Sequence, residues 1–126
     1  RDNRHVRKHA IVDSFRLDSG VWTPVNTSRW SLFSEVRMDL SLAMQEEEEV
    51  TFMVQGFVGD IDVILPPDYG LRLESSLLVG RVSFDGEKDG GFLNRRFWQS
   101  PNYDHCPHKM KLIVGCIVGD IEIRTV

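Results

Sequence analysis

Hydrophobic and polar positions along this chain repeat one short phrase. Two apolar residues lead into two small or polar ones, after which apolar and polar residues alternate. Five segments fit: IVDSFRL (11–17), LFSEVRM (32–38), FVGDIDV (57–63), LVGRVSF (78–84) and IVGDIEI (117–123). Their third residues, Asp13, Ser34, Gly59, Gly80 and Gly119, are 21, 25, 21 and 39 apart, the last interval being close to two units. Repeats on this scale mark stacked architectures. At each corner glycine relieves the steric cost of a tight bend, and Asp or Ser can bond nearby amides. After the corner the period is two, as on a strand. This predicts one inward column of Phe15, Val36, Ile61, Val82 and Ile121, and a second of Leu17, Met38, Val63, Phe84 and Ile123. Stacking such units buries ladders that no single unit could bury alone.

Strand propensity agrees over EVTFMVQGF (49–57), IDVILP (61–66), LRLESSLLVG (71–80) and KLIVGCIVG (111–119). The segments PPDYG (66–70), DGEKDGG (85–91) and SPNYDHCPH (100–108) carry turn chemistry between them. LSLAMQEEEE (40–49) is the one helix candidate, and it reads equally well as a loop. The expected fold is all-β, a β-solenoid or β-helix-like stack of about 20-residue repeats. A β-sandwich is the second choice, because the same spacing suits hairpin pairs.

Length and composition narrow the class. With 126 residues, 41% hydrophobic and 27% charged, the chain is expected to form one globular domain with its own core. A formal charge of −4 offers no basic field to a nucleic-acid backbone. The longest apolar run, LIVGCIVG (112–119), is far short of the roughly 18 residues of a spanning helix, so a soluble piece is expected. The start, RDNRHVRKH, is dense in Arg, Lys and His and lacks an initiator Met. Residues 1–10 therefore read as a basic juxtamembrane or linker segment of a longer protein, and residues 11–126 as the domain. Two cysteines, Cys106 and Cys116, are too few to staple a domain of this size. Reduced thiols and the basic start lean towards the cytoplasmic side of a membrane.

The phrases GFVGDIDVILPPDYGLRLESSLLVGRVSFDGEKDGGF (56–92) and KLIVGCIVGDIEIRTV (111–126), preceded by VWTPVNTSRWSLFSEVRMDLS (21–41), resemble the C-terminal domain of the LiaF family, also called VraT or YvqF. The corners Asp13-Ser14 and Ser34-Glu35 depart from the pattern in lacking glycine, and HCPH (105–108) replaces bland polar residues. These are cell wall-active antibiotic response proteins of Gram-positive bacteria. The resemblance implies N-terminal membrane helices, a soluble C-terminal domain and a sensor histidine kinase as partner. That kinase, part of a two-component system, would be restrained until envelope stress relieves the restraint.

Several clusters carry candidate chemistry. In NYDHCPHKM (102–110), Asp104, His105, Cys106 and His108 offer nitrogen, sulfur and oxygen donors suited to zinc. The triplet lacks a paired second half, and Pro107 stiffens it, so a solvated turn is the expected reading and no metal is assigned. Asp60 and Asp62 match Asp120 and Glu122, and stacked carboxylates suit calcium. Arg81 and Ser83 fill those places in the intervening copy and are expected to interrupt the ladder. Glu46 to Glu49 read as a solvated loop tip or a contact for a basic partner.

GGFLNRRFWQSPNY (90–103) falls in the double-length gap and combines aromatic rings with Arg95 and Arg96. Aromatic and Arg side chains anchor interfaces, and they also cap open stack ends. Arg95, Arg96, Phe97 and Trp98 are thus the expected partner-binding residues. No phosphate loop, nucleophile elbow or nucleophile–base pattern appears, so neither catalysis nor a cofactor is expected. Self-association through open strand edges, as a structural or membrane-surface module, is the alternative function.

Overall fold

The computed structural model describes residues 5–17, 19–44 and 48–126, with residues 5–15 and 88–93 described by backbone alone. The strands are β1 (His5–Leu17), β2 (Asn26–Asp39), β3 (Glu49–Leu65), β4 (Tyr69–Phe84), β5 (Glu87–Gln99) and β6 (His108–Thr125). They form one mixed, six-stranded sheet in the order β1-β2-β3-β6-β4-β5. Every neighbouring pair is parallel except β4–β5. The chain is all-β, and of the helix candidate at 40–49 Leu40–Leu42 form a 3-10 turn and Glu49 opens β3, while residues 45–47 lie outside the described residues. β1 begins at His5, inside the segment expected as a linker.

The repeated phrases share one layer of the sheet. Asp13 pairs with Ser34, Ser34 with Gly59, Gly59 with Gly119, and Gly119 with Gly80. The two columns expected as inward are also in register, Val36 beside Ile61, Ile61 beside Ile121 and Ile121 beside Val82. Just before this layer the inward parity changes. On β3 the buried residues are Val50, Phe52 and Val54 before the corner and Ile61, Val63 and Leu65 after it. Each long strand thus has two arms, and buried residues of both arms belong to one core cluster. Phe84, on the second arm of β4, lies 4.7 Å from Trp98, which pairs with Leu73 of the first arm. The core is the space between the arms.

Corner chemistry differs from strand to strand for a steric reason. A Cβ on Gly59 would lie 2.7 Å from Cys116 Sγ, so the β3 corner has no room for a side chain. Ser34 occupies the same place on β2, is buried, and shares a hydrogen bond with the Ser31 hydroxyl across the bend. A buried hydroxyl needs such a partner.

Two expectations are corrected. The segment 85–91 is a turn only at Asp85 and Gly86, whose φ values of 52° and 87° suit a two-residue hairpin of the primed type. Strand β5 resumes at Glu87. The spatial order also differs from chain order, because β6 lies between β3 and β4. Asp60 and Asp120 are therefore neighbours, as are Asp62 and Glu122. Arg81 and Ser83 flank the acidic ladder instead of interrupting it.

Candidate functional site

The residues expected to bind a partner lie on β5, an edge strand of the sheet. Its antiparallel register sets Arg95 opposite Ser76, Arg96 opposite Ser75, Phe97 opposite Glu74 and Trp98 opposite Leu73. Side chains alternate between faces, so the four residues divide two and two. Trp98 and Arg96 share the face of buried Leu73 and Ser75. Trp98 packs on the core beside Phe84, and the Arg96 guanidinium lies 5.2 Å from the Phe84 ring. Phe97 and Arg95 face outward, Phe97 with 62% of its surface exposed.

The outward face extends through residues that the sequence pattern did not single out. Arg72 lies with its guanidinium carbon 5.9 Å from the Phe97 ring and 4.8 Å from the Tyr103 ring. Its Nε and Nη2 donate to Gln99 Oε1 at 3.2 and 2.9 Å, which fixes the guanidinium plane. The Tyr103 hydroxyl donates to Glu49 Oε2 at 2.6 Å, and Lys109 Nζ lies 5.5 Å from the same ring. Burial, then the Glu49 bond, pushes the Tyr103 hydroxyl up to about 12, so it stays a donor at neutral pH. The only sequence signal for Arg72 was its place between Leu71 and Leu73, which puts it on the outer face by alternation. This is an aromatic–arginine patch of the kind that anchors protein contacts.

The remaining candidates resolve as follows. Tyr103–His105 form a 3-10 turn, His105 is exposed, Cys106 is buried, and His108 opens β6. Among the described residues no group of three or more His, Cys, Asp or Glu side chains is placed to hold a metal ion. Both cysteines are free and buried, and burial pushes the Cys116 thiol up to about 11. A thiol in that range is a poor nucleophile at neutral pH. Glu46 and Glu47 lie outside the described residues, while Glu49 holds Tyr103 and Glu48 lies 3.9 Å from Lys109. The acidic ladder meets Arg37, whose Nη1 donates to Asp62 at 2.9 Å. Burial, followed by the charges of Asp62 and Asp120, holds the Asp60 carboxyl above its ordinary value. Among the described residues no helix is long and apolar enough to cross a membrane.

The family described as cell wall-active antibiotics response LiaF, C-terminal, matches residues 11–123. Protein LiaF of Bacillus subtilis is 26% identical over 92 residues, a match covering 73% of this chain and 38% of that protein. A solved structure from Clostridium sporogenes, provisionally assigned to cell adhesion, superposes with a TM-score of 0.63 at 19% identity. It covers 97% of this chain and 56% of that one, and at such identity it speaks for the fold alone.

Proposed function

The chain belongs to the family of LiaF C-terminal domains of the cell wall-active antibiotics response, and from that premise we propose that it is a non-catalytic regulatory domain. In this reading it restrains the sensor histidine kinase of a two-component system that answers envelope stress. The family match over residues 11–123 carries the proposal. The matched part spans 38% of the Bacillus subtilis relative, so this domain acts within a longer protein. That protein is held to the membrane by N-terminal helices, with the basic residues 1–10 near the junction and residues 11–126 as a single domain on the cytoplasmic face.

Restraint of this kind is stoichiometric. A domain that binds the silent kinase better than the active one shifts their equilibrium by the difference in binding free energy. A tenfold shift requires about 1.4 kcal/mol, within reach of one aromatic anchor. The outward pair Arg95 and Phe97, backed by Arg72, is the contact in this proposal. Arg96 and Trp98 hold the strand to the core behind it. The solenoid-like reading of the fold belongs here too, supported by the shared register of the five corner phrases.

The test is the double variant Arg95→Ala, Phe97→Ala in the full-length protein, read by a reporter of kinase output without stress. Loss of restraint at normal protein abundance is expected. Unchanged restraint would remove this face from the mechanism.

One observation favours a second reading, self-association. The sheet is open, with β1 and β5 at its edges, and unpaired edges can recruit another copy. Concentration-dependent light scattering from the purified chain would favour it, and a constant monomer mass would oppose it.

A further inference from the structure

The fold line between the two arms carries a continuous stripe of exposed apolar side chains. At the layer where inward parity changes, Phe33 pairs with Val58, Val58 with Val118, and Val118 with Val79. Phe57, Ile117 and Leu78 precede those residues on the same strands. Phe33, Phe57, Leu78, Val79, Ile117 and Val118 are each 38–50% exposed. The backbone register of this layer continues to Val12 on β1 and Phe92 on β5. A cleft of about 200 Å³ opens beside it, lined by Leu78, Arg95 and Ile117 with buried Cys116. Large exposed apolar side chains scattered singly are ordinary, but a contiguous band across four neighbouring strands marks an interaction surface.

Charge decides what fits. On the second-arm side, the next two rows hold Glu35, Asp60 and Asp120, then Asp62 and Glu122. Over those two rows the central strands β3 and β6 present four carboxylates and no cation. Arg16 and Arg37 stand beyond them on one side, Arg37 2.9 Å from Asp62, and Arg81 and Lys88 on the other, Arg81 3.4 Å from Asp120. Burial, and after it the charges of Asp62 and Asp120, raises the Asp60 carboxyl. On the first-arm side the adjoining row is uncharged over the four middle strands, at Trp30, Gln55, Gly115 and Ser76, with His9 and Arg95 in register at its two ends. Over the central strands β3 and β6 the stripe is therefore acidic along one side and uncharged along the other. Anionic lipid headgroups would bring like charge to the acidic side, and so would a second copy stacked with its acidic rows over these.

We propose that the fold line is a docking ridge for an amphipathic helix of a partner protein, with an apolar face on the stripe and Lys or Arg along one edge above the acidic ladder. Six strands about 4.8 Å apart make the fold line about 24 Å long, the length of a helix of about 16 residues, and the exposed stripe covers its four middle strands. Such a helix anchors through apolar residues at i, i+3, i+4 and i+7. The inference goes beyond the regulatory reading and does not depend on which protein the domain restrains.

The probe is a fluorescent 16-residue helix with a leucine face and one lysine edge, titrated against the chain by anisotropy, beside a twin with a glutamate edge. Saturable binding of the lysine form is expected. Phe57→Asp with Val118→Asp should weaken it at least tenfold, and Asp60→Asn with Asp120→Asn about threefold, with thermal melts verifying the fold. Should the aspartates unfold the chain, Phe57→Ser with Val118→Ser serves instead. Equal binding of the glutamate twin, or binding untouched by the ridge variants, would overturn the proposal. So would a dimer in sedimentation, or flotation with anionic vesicles, that the ridge variants abolish. In cells, a photocrosslinker at position 57 of the full-length protein should mark a Lys- or Arg-edged amphipathic segment. Crosslinks to lipid or to the protein itself would contradict it.

Discussion

Replacing Trp98 by Ala removes a ring that packs on the core and lies 4.7 Å from Phe84, and is expected to cost about 2–3 kcal/mol because the ring is only half-buried. Replacing its neighbour Phe97, which faces outward, should stay within about 0.5 kcal/mol. Urea unfolding of the two variants would separate the residue that holds β5 from the residue that β5 presents. Asp60 gives a different test. Its carboxyl is raised by burial and by Asp62 and Asp120, so its protonated form favours the fold. That contribution is complete below the unfolded carboxylate value of 3.8 and is lost as pH rises through the folded one. Asp60→Asn should therefore raise the melting temperature at pH 7 and lose that advantage towards pH 3. An equal gain at both pH values would rule out the cost of ionising a buried, crowded carboxyl as the cause.

At the scale of elements, the corner glycines set how closely the strands stack. A Cβ on Gly80 would run into the Gly119 backbone, whereas a Cβ on Gly119 would meet the movable end of Leu77 at 2.6 Å. Gly80→Ala should therefore cost about 3 kcal/mol and Gly119→Ala about 1 kcal/mol, read by thermal or urea unfolding. The β4–β5 hairpin is tied to the last strand through Asp85, whose carboxylate accepts from Thr125 N and Oγ1, both at 2.7 Å. The Thr125 side-chain and backbone bonds hold Asp85 below its ordinary value. Its stabilising effect is present above the unfolded value of 3.8 and is lost as pH falls through the folded one. Asp85→Asn should flatten the acid limb of the stability–pH curve, and an unchanged limb would show that the tie carries no linkage.

On the scale of the molecule, the corner layer was legible in the sequence because parallel strands repeat their phrase in the same direction. Asp13, Ser34, Gly59, Gly119 and Gly80 lie in that one layer. The gap of 39 residues before Gly119 held a sixth strand that a forward search could not find. β5 is antiparallel, so its phrase runs backwards: Phe92 pairs with Val79, Gly91 with Gly80 and Gly90 with Arg81. Spacing along the chain also carries no information on spatial order, which is why the acidic ladder on β3 and β6 was read as broken. Of the β5 site, the outward placement of Arg95 and Phe97 followed once the register was known. Arg72 and Tyr103 come from a neighbouring strand and a loop, and nothing local ties them to Phe97. The apolar ridge was hidden for another reason. Its residues read as ordinary strand interior until the parity change turned them outward.

The most direct measurement is a crosslinking capture of the full-length protein from its own cells, with and without residues 11–126, with mass spectrometry of what is held. If this domain is the regulatory contact, a sensor histidine kinase is recovered only when residues 11–126 are present. Recovery of the kinase in equal amount without them would contradict that claim and move the contact to the rest of the protein.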